Sequence, residues 1–215
     1  MSDFSSCIKL LDSNYLNNDF GITNIALINF SAGGRVGGGF GLWFEVPSGQ
    51  TPKLTLKDCL FEGNVAHGNW EHILDGFGGA FGTGLGSMDR MTLIIDNCTF
   101  IKNKAQRKGG ALSIHSSYPT DILNCTFINN EAEEGGGAIF IMSYGSTSSK
   151  ELTYTIQECH FESNKGLSGN NNAIFKSNPS SHTADSKLII KDRNITNSNS
   201  SDTYSNEGYA IPIES

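Results

Sequence analysis

The residues best suited to chemistry in this 215-residue chain are its 5 cysteines, 5 histidines and 22 aspartates and glutamates. Four cysteines open one motif, Cys-x-Phe-x-x-Asn, which recurs after 39, 27 and 34 residues; they are Cys59, Cys98, Cys125 and Cys159. A repeat that stacks on itself sets these thiols in one column, where parallel Cβ atoms lie too far apart for an unstrained disulfide. A column also cannot surround a zinc ion tetrahedrally. We therefore expect buried free thiols and no metal site.

A catalytic role would need paired carboxyl groups, and one pair qualifies. Glu158 and Asp192 take the same place before the motif in consecutive repeats, with His160 nearby. Carbohydrate-cleaving enzymes use two carboxyl groups about 5 to 9.5 Å apart, so these three residues are the candidate catalytic set. A second pair, Glu62 and Glu162, lies three repeats apart, which is about 14 Å in a stacked β-structure. That distance is too long for a catalytic pair of carboxyl groups. A solvated corner is the interpretation we favour for Glu158 and Asp192, and we predict no enzymatic activity and no cofactor.

The histidines show no metal-ligand spacing, and we expect them on the surface; they are His67, His72, His115, His160 and His182. Five Asn-x-Ser/Thr sequons allow glycosylation if the chain is secreted by a glycosylating route; they begin at Asn29, Asn97, Asn124, Asn194 and Asn199.

The cysteine motif is one part of a longer repeat. Period-two apolar pairs precede it, from Leu54 and Leu56 in the first clear copy to Leu188 and Ile190 in the last. A Gly-Gly-Ala-apolar segment follows it and drifts to residues 171–174 and 208–211 in the last two copies. A degenerate fifth copy of the motif starts at residue 193. Because period-two alternation indicates strands, each unit is predicted to contain three short strands, two tight corners and one variable loop.

A unit of this size cannot bury its own apolar face, so the units must stack, with equivalent residues about 4.8 Å apart. This predicts an all-β fold, a parallel β-helix that forms one domain over residues 1–215. About five clear coils occupy residues 50–215, and one or two degenerate coils occupy residues 1–49, including Gly21-Ile22 and Gly38-Gly39-Phe40. The motif phenylalanines should fill the interior, and the motif asparagines should take left-handed corners, which Asn tolerates. These residues are Phe61, Phe100, Phe127 and Phe161, and Asn64, Asn103, Asn130 and Asn164.

Charge and hydropathy exclude several classes of protein. The net charge of −7 argues against nucleic-acid binding, which requires Lys and Arg to neutralise phosphates. The sequence contains no uninterrupted stretch of about 18 apolar residues, the length that a membrane-spanning helix requires. Residues 1–11 lack the basic start, apolar run and cleavage site of a signal peptide.

One apolar patch is the best candidate for binding. The register places Phe140 and Phe175 on the outside of adjacent coils, with Met142 beside them. Contiguous exposed apolar patches usually mark contacts, so a partner protein, a second copy or the ring face of a sugar could dock there. Alternatively, a loop of the same chain covers the patch, and the insertion at 67–75, which contains Trp70, is a candidate for this.

The segment from Phe127 through Asn130 and Ala132 to the Gly-Gly-Ala-Ile ending at Ile139, echoed from Phe100 to Leu112, resembles chlamydial polymorphic outer-membrane proteins. The likeness covers roughly residues 50–215 and is strongest in 91–142. It implies a right-handed β-helix, like a surface-displayed autotransporter passenger, with a role in adhesion or structural spacing. It also implies an extracellular or cell-surface location, with a host or cell-surface protein or glycan as partner. The alternative is a carbohydrate-active enzyme or carbohydrate-binding β-helix of the polysaccharide lyase or hydrolase kind.

Overall fold

Short alternating segments give this chain its strands. The computed structural model describes residues 8–10, 19–33, 37–42, 51–68, 76–83, 91–116, 119–143, 152–167, 173–177, 186–191, 194–196 and 205–207. Within these ranges there are 24 strands and no helix.

The strands form four sheets. The first sheet contains β2 (Phe20–Thr23), β6 (Lys53–Lys57), β10 (Thr92–Asp96), β14 (Thr120–Leu123), β18 (Leu152–Gln157) and β22 (Ser186–Lys191). The second contains β3 (Ala26–Ile28), β7 (Leu60–Glu62), β11 (Thr99–Ile101), β15 (Thr126–Ile128), β19 (His160–Glu162) and β23 (Asn194–Thr196). The third contains β4 (Ser31–Gly33), β8 (Val65–His67), β12 (Lys104–Ala105), β16 (Glu131–Ala132) and β20 (Lys165–Gly166). The fourth contains β1 (Ile8–Leu10), β5 (Phe40–Leu42), β9 (Phe81–Thr83), β13 (Leu112–Ser116), β17 (Ile139–Ser143), β21 (Ile174–Ser177) and β24 (Ser205–Glu207).

Successive strands visit the four sheets in turn, and each pairs in parallel with its equivalent one coil away. Coil 1 runs from β2 to β5, coil 2 from β6 to β9, coil 3 from β10 to β13, coil 4 from β14 to β17, coil 5 from β18 to β21 and coil 6 from β22 to β24. The fold is therefore a parallel β-helix, as the repeat predicts. The prediction of three strands per coil is wrong, because each of coils 1 to 5 also has a strand of two or three residues in the third sheet.

The corners between sheets explain much of the repeat. Asp58, Asn97, Asn124 and Glu158 turn the chain from the first sheet to the second with positive φ angles. Positive φ at the second corner belongs to the residue before each motif asparagine, namely Gly63, Lys102, Asn129 and Ser163. The prediction that the motif asparagines themselves take the left-handed corner is thus wrong.

The Gly-Gly pair meets two separate demands. Its first glycine, such as Gly109, has a φ of 73°, which favours glycine. Its second glycine, Gly110, lies so close to the backbone of Gly137 and Glu131 in the next coil that a Cβ atom would collide with both.

The two ends of the solenoid differ from the expected repeats. Gly21-Ile22, which the sequence aligns with the Gly-Gly corner of a degenerate coil, lies instead in the first sheet, paired with Thr55 and Leu56. At the other end, β24 brings Asn206 beside Lys176, so the predicted equivalence of residues 208–213 with β21 is wrong. Ile195 pairs with Phe161 as predicted.

Candidate functional site

The motif asparagines form a buried amide ladder that runs through coils 2 to 5. The Nδ2 of Asn103 donates to Oδ1 of Asn130 at 3.0 Å and to the carbonyl oxygen of Phe61 at 2.9 Å. The backbone N–H of Asn103 donates to the same Oδ1 at 3.0 Å. The same set of bonds links Asn64 to Asn103 and Asn130 to Asn164. The side chains of Asn64, Asn103 and Asn130 therefore each tie their own coil to both neighbours.

The motif phenylalanines form the predicted interior stack. Ring centroids are 5.0 Å apart between Phe61 and Phe100, and 4.9 Å apart between Phe100 and Phe127 and between Phe127 and Phe161. The rings are within 7° of parallel and fully buried. Because the register matches the motif alignment rung by rung, the sequence predicted this part of the core correctly.

The four motif cysteines are free and buried, at most 3% exposed. Each thiol donates to a backbone carbonyl oxygen two residues earlier, at distances from 3.0 to 3.3 Å. Burial raises the pKa of the Cys59 thiol. The flanking thiols of Cys159 and Cys98, together with burial, raise the pKa of Cys125.

The outer face of the fourth sheet carries the predicted apolar patch, but the patch is buried. Phe140 and Phe175 lie on adjacent strands with ring centroids 5.7 Å apart, and both are at most 2% exposed. They form a cluster with Phe77, separate from the main core, and Met142 packs against it half-buried. Of the two alternatives, an open docking patch and a patch covered by the chain itself, the burial of these rings favours the second. Trp70, the covering residue suggested by the sequence, lies outside the described residues.

Two cations complete this outer cluster. The Lys108 Nζ lies 5.1 Å from the ring centroid of Phe140 and 4.9 Å from that of Phe175. The Arg107 guanidinium lies 4.8 Å from the Phe77 ring centroid and pairs with Glu134 at 2.9 Å. Phe77 and Lys108 both sit just before a Gly-Gly corner. The residue type at the position before the Gly-Gly pair differs from coil to coil, so the repeat alignment does not predict the contacts of Phe77 and Lys108.

His115 is also part of this outer layer, and the expectation that it lies on the surface is wrong. Its side chain is 2% exposed and packs edge-on against the rings of Phe77 and Phe140. The Nε2 atom lies 3.0 Å from the hydroxyl of Ser113. Burial, reinforced by the charge of Lys108, lowers the pKa of His115 from 6.5 to about 3. The imidazole is thus neutral near pH 7 and belongs to the packed layer.

A second polar group occupies the interior beneath the fourth sheet. Lys176 follows Ile114 and Ile141 in an inward-facing row and is fully buried. Burial lowers its pKa from 10.5 to about 8. Tyr154 lies in the first sheet, and its hydroxyl donates to the carbonyl oxygen of Ser116 at 2.6 Å. The alignment of the repeats also assigns Lys176 to this inward row, after Ile114 and Ile141.

The candidate catalytic residues do not assemble as a site in the described part of the chain. Glu158 is exposed at a left-handed corner, and Nε2 of the neighbouring Gln157 donates to its carboxylate at 3.3 Å. His160 pairs instead with Glu162, at 3.4 Å. Asp192 lies outside the described residues. Among the residues that are described, no group of three or more His, Cys, Asp and Glu could hold a metal ion.

The sequon asparagines Asn97 and Asn124 are exposed at the first corner, as expected. Their side chains form a second row of contacts between coils. Asn97 Nδ2 donates to Asp58 at 2.6 Å, and Asn124 Nδ2 donates to Asp96 at 2.9 Å. The hydrogen bonds from Asn124 and Lys57 lower the pKa of Asp96.

The outer face of the second sheet remains open to solvent. In coils 3 and 4 its outward residues are uncharged and half-buried: Thr99, Ile101, Thr126 and Ile128. Glu62 and Glu162 lie at the equivalent positions in coils 2 and 5. The outer face of the first sheet is charged by comparison, with Lys57 and Asp96 paired at 3.0 Å.

Comparison with known families agrees with this architecture. Residues 97–115 and 124–141 match the Chlamydia polymorphic membrane protein repeat. No curated protein and no solved structure matches the chain. In the described residues, no helix is long and apolar enough to cross a membrane. The two matched segments fall in coils 3 and 4, where the sequence resemblance is strongest, so these adjacent coils carry repeats similar to those of polymorphic membrane proteins.

Proposed function

We propose that this chain is a non-catalytic β-helix module, displayed on a cell surface or secreted, that acts in adhesion or as a structural spacer. The observation that carries this proposal is the repeat match in coils 3 and 4. The family is described as a membrane protein of Chlamydia, and a surface role for this chain follows by similarity.

The outer face of the second sheet is the contact surface that supports adhesion best. Thr99, Ile101, Thr126 and Ile128 form a regular block of side chains without charge. Burying such a block costs little desolvation, because it contains no ionised group. The fourth sheet cannot serve in this way, since its outer aromatic residues are already covered.

The same coils also suit a spacer. Parallel strands repeat about every 4.8 Å along the axis, so the height of the module is set by its number of coils. The amide ladder and the ring stack join coils 2 to 5 along the axis without a break. Both features favour a stiff rod over a flexible linker.

Adhesion can be tested by measuring the binding of fluorescently labelled chain to cultured epithelial cells. The double variant Ile101→Glu and Ile128→Glu places two charges on the second sheet. The matched control, Ile94→Glu and Ile189→Glu, places two charges on half-buried outward positions of the first sheet. We expect the first variant to lose most binding and the control to retain it.

Two treatments of the cells separate the classes of partner. Loss of binding after trypsin identifies a surface protein, and loss after enzymatic removal of glycans identifies a sugar. If the unmodified chain does not bind, or if both variants bind as well as it does, the second sheet is not an adhesive face.

A further inference from the structure

The motif cysteines form a column along the axis of the solenoid. Backbone bonds fix the rungs: Thr99 N–H donates to the Cys59 carbonyl oxygen at 2.8 Å, and Thr126 N–H to that of Cys98 at 2.9 Å. His160 N–H continues the series to Cys125 at 2.9 Å. Consecutive cysteines therefore lie on neighbouring strands, about 4.8 Å apart along the axis, and all four are buried.

This spacing discriminates between three kinds of thiol chemistry. A disulfide needs Cβ atoms about 3.5–4.5 Å apart, slightly less than the rung spacing provides. A zinc site needs four ligands around one point, and a straight column offers only one sulfur on each side. A two-coordinate ion needs two sulfurs on opposite sides, separated by twice a metal–sulfur bond of about 2.3 Å, or about 4.6 Å.

We propose that neighbouring thiols of this column bind a soft, two-coordinate cation of the class that includes Hg²⁺, Ag⁺ and Cu⁺, held between adjacent rungs. Thiolates select soft ions of this kind. For Hg²⁺ the exchange balances: two thiols lose two protons, two sulfur–mercury bonds form, and the bridged group is neutral. A neutral product matters because an uncompensated charge in the interior is costly. With a monovalent ion, two thiolates leave one negative charge.

The existing thiol hydrogen bonds set the cost and the rate of binding. Each thiol proton that now points to a carbonyl oxygen, for example from Cys125 to Leu123 at 3.0 Å, must be released. The thiols are also at most 3% exposed, so an ion must wait for a local opening of the first corner. We therefore expect slow uptake and tight retention by the folded chain.

The number of bound ions tests the proposal. Four thiols in one column make two separate neighbouring pairs, so the folded Cys7→Ala protein should take up two Hg²⁺ ions and release four protons. Native mass spectrometry counts the ions, proton release is followed with a pH indicator, and circular dichroism confirms the fold. Because binding to the folded state stabilises it, the thermal midpoint should also rise. Four ions per chain, or none, would overturn the proposal.

Two variants with equal numbers of thiols supply a sharper test. In the Cys7→Ala background, Cys59→Ala with Cys98→Ala leaves Cys125 and Cys159 on neighbouring rungs. Cys59→Ala with Cys125→Ala leaves Cys98 and Cys159 two rungs apart. In the presence of excess glutathione, the first should retain one Hg²⁺ and the second should retain none. Equal retention by the two folded variants would show that the thiols act singly; if either variant does not fold, the count of two ions on the four-thiol protein decides.

Discussion

Replacing Asn129 and Asn130 separately by glycine tests which of the two residues forms the corner and which forms the ladder. Asn129 is exposed and has a φ of 54°. Asn130 is fully buried, and its φ angle is not positive. If the ladder holds coils together as the hydrogen bonds indicate, the two substitutions should have very different effects on stability.

The cost of Asn130→Gly follows from the partners it leaves behind. The side chain accepts from the backbone N–H and from Nδ2 of Asn103, both at 3.0 Å. It donates to the carbonyl oxygen of Phe100 at 3.0 Å and to Asn164 Oδ1 at 2.9 Å. Truncation leaves two buried donors without their acceptor. Each unsatisfied buried group costs about 1–3 kcal/mol, and glycine adds about 1 kcal/mol of backbone entropy, so the loss should be about 3–7 kcal/mol.

Asn129→Gly should change the free energy of unfolding by less than about 0.5 kcal/mol, because glycine adopts left-handed backbone freely and the backbone bond from residue 129 to Glu162 is retained. Urea titrations followed by both circular dichroism and tyrosine fluorescence measure the two values. Lys102→Gly and Asn103→Gly repeat the comparison one coil earlier, and Lys102→Gly should be neutral or stabilising. The ladder would be refuted if Asn130→Gly cost less than about 1 kcal/mol while Asn129→Gly cost more.

Four further outcomes are expected. Phe127→Ala should lower the free energy of unfolding by about 3–5 kcal/mol through lost burial and a cavity in the ring stack; a urea titration that gives less than about 1 kcal/mol would contradict the register. Phe140→Ser should destabilise the fold by a similar amount, whereas Ile101→Ser on the half-buried second sheet should cost about 1 kcal/mol or less; equal small effects would show that the outer cluster is not packed. Because burial lowers the pKa of Lys176 to about 8, the unfolded chain binds a proton between pH 8 and 10.5 that the folded chain does not. Lys176 should therefore contribute a rise of about 3 kcal/mol across that range, whereas the raised pKa values of the Cys59 and Cys125 thiols act in the opposite direction. The measurement is the difference between the parent and Lys176→Met, and a variant with the same pH profile of stability as the parent would exclude Lys176 as a source. Finally, thiol labelling of the four column cysteines should be slow in the folded protein and rapid in denaturant, and intact mass that shows two disulfides among them would disprove the free-thiol column.

The interior of the second sheet was predictable from the sequence because one motif defines it four times. A period of two places the cysteine and the phenylalanine on the same side of the strand. Recurrence at every coil then fixes which residues stack, and Phe100 does pair with Phe127. Fold class and ring stack follow from these two facts alone.

The amide ladder was harder to predict because asparagine suits two roles. Its side chain tolerates left-handed backbone, and it can also form four hydrogen bonds when buried. The corner residue itself varies among glycine, lysine, asparagine and serine in coils 2 to 5, so composition gave no sign that it carries the positive φ. The third sheet was not predicted because its strands are too short. A strand with one inward residue, such as Ala105, shows no alternation of apolar and polar residues.

The outer cluster shows what an alignment of repeats leaves undetermined. The register correctly assigns Phe140 and Phe175 to the outward side of their strands. Whether that side is exposed to solvent depends on segments that do not repeat. Phe77, which contacts Phe140, comes just after the insertion at 67–75 in coil 2. His115 is buried for the same reason, because Phe77 also packs against its ring.

Contacts that occur only once also solve a problem that identical rungs create. If all coils carried identical ladders, a coil could pair with a coil of a second chain as well as with its native neighbour. Repeat proteins are prone to misassembly of this kind. Between coils 3 and 4, Lys104 pairs with Glu131 at 3.4 Å and Arg107 with Glu134 at 2.9 Å. A shift by one coil would place Lys104 opposite Lys165, since both pair with β16, and like charges directly opposite each other destabilise a sheet. The interior ladders therefore supply cohesion that is the same at every step, whereas the charges at Lys104, Glu131 and Lys165 favour the native pairing of coils.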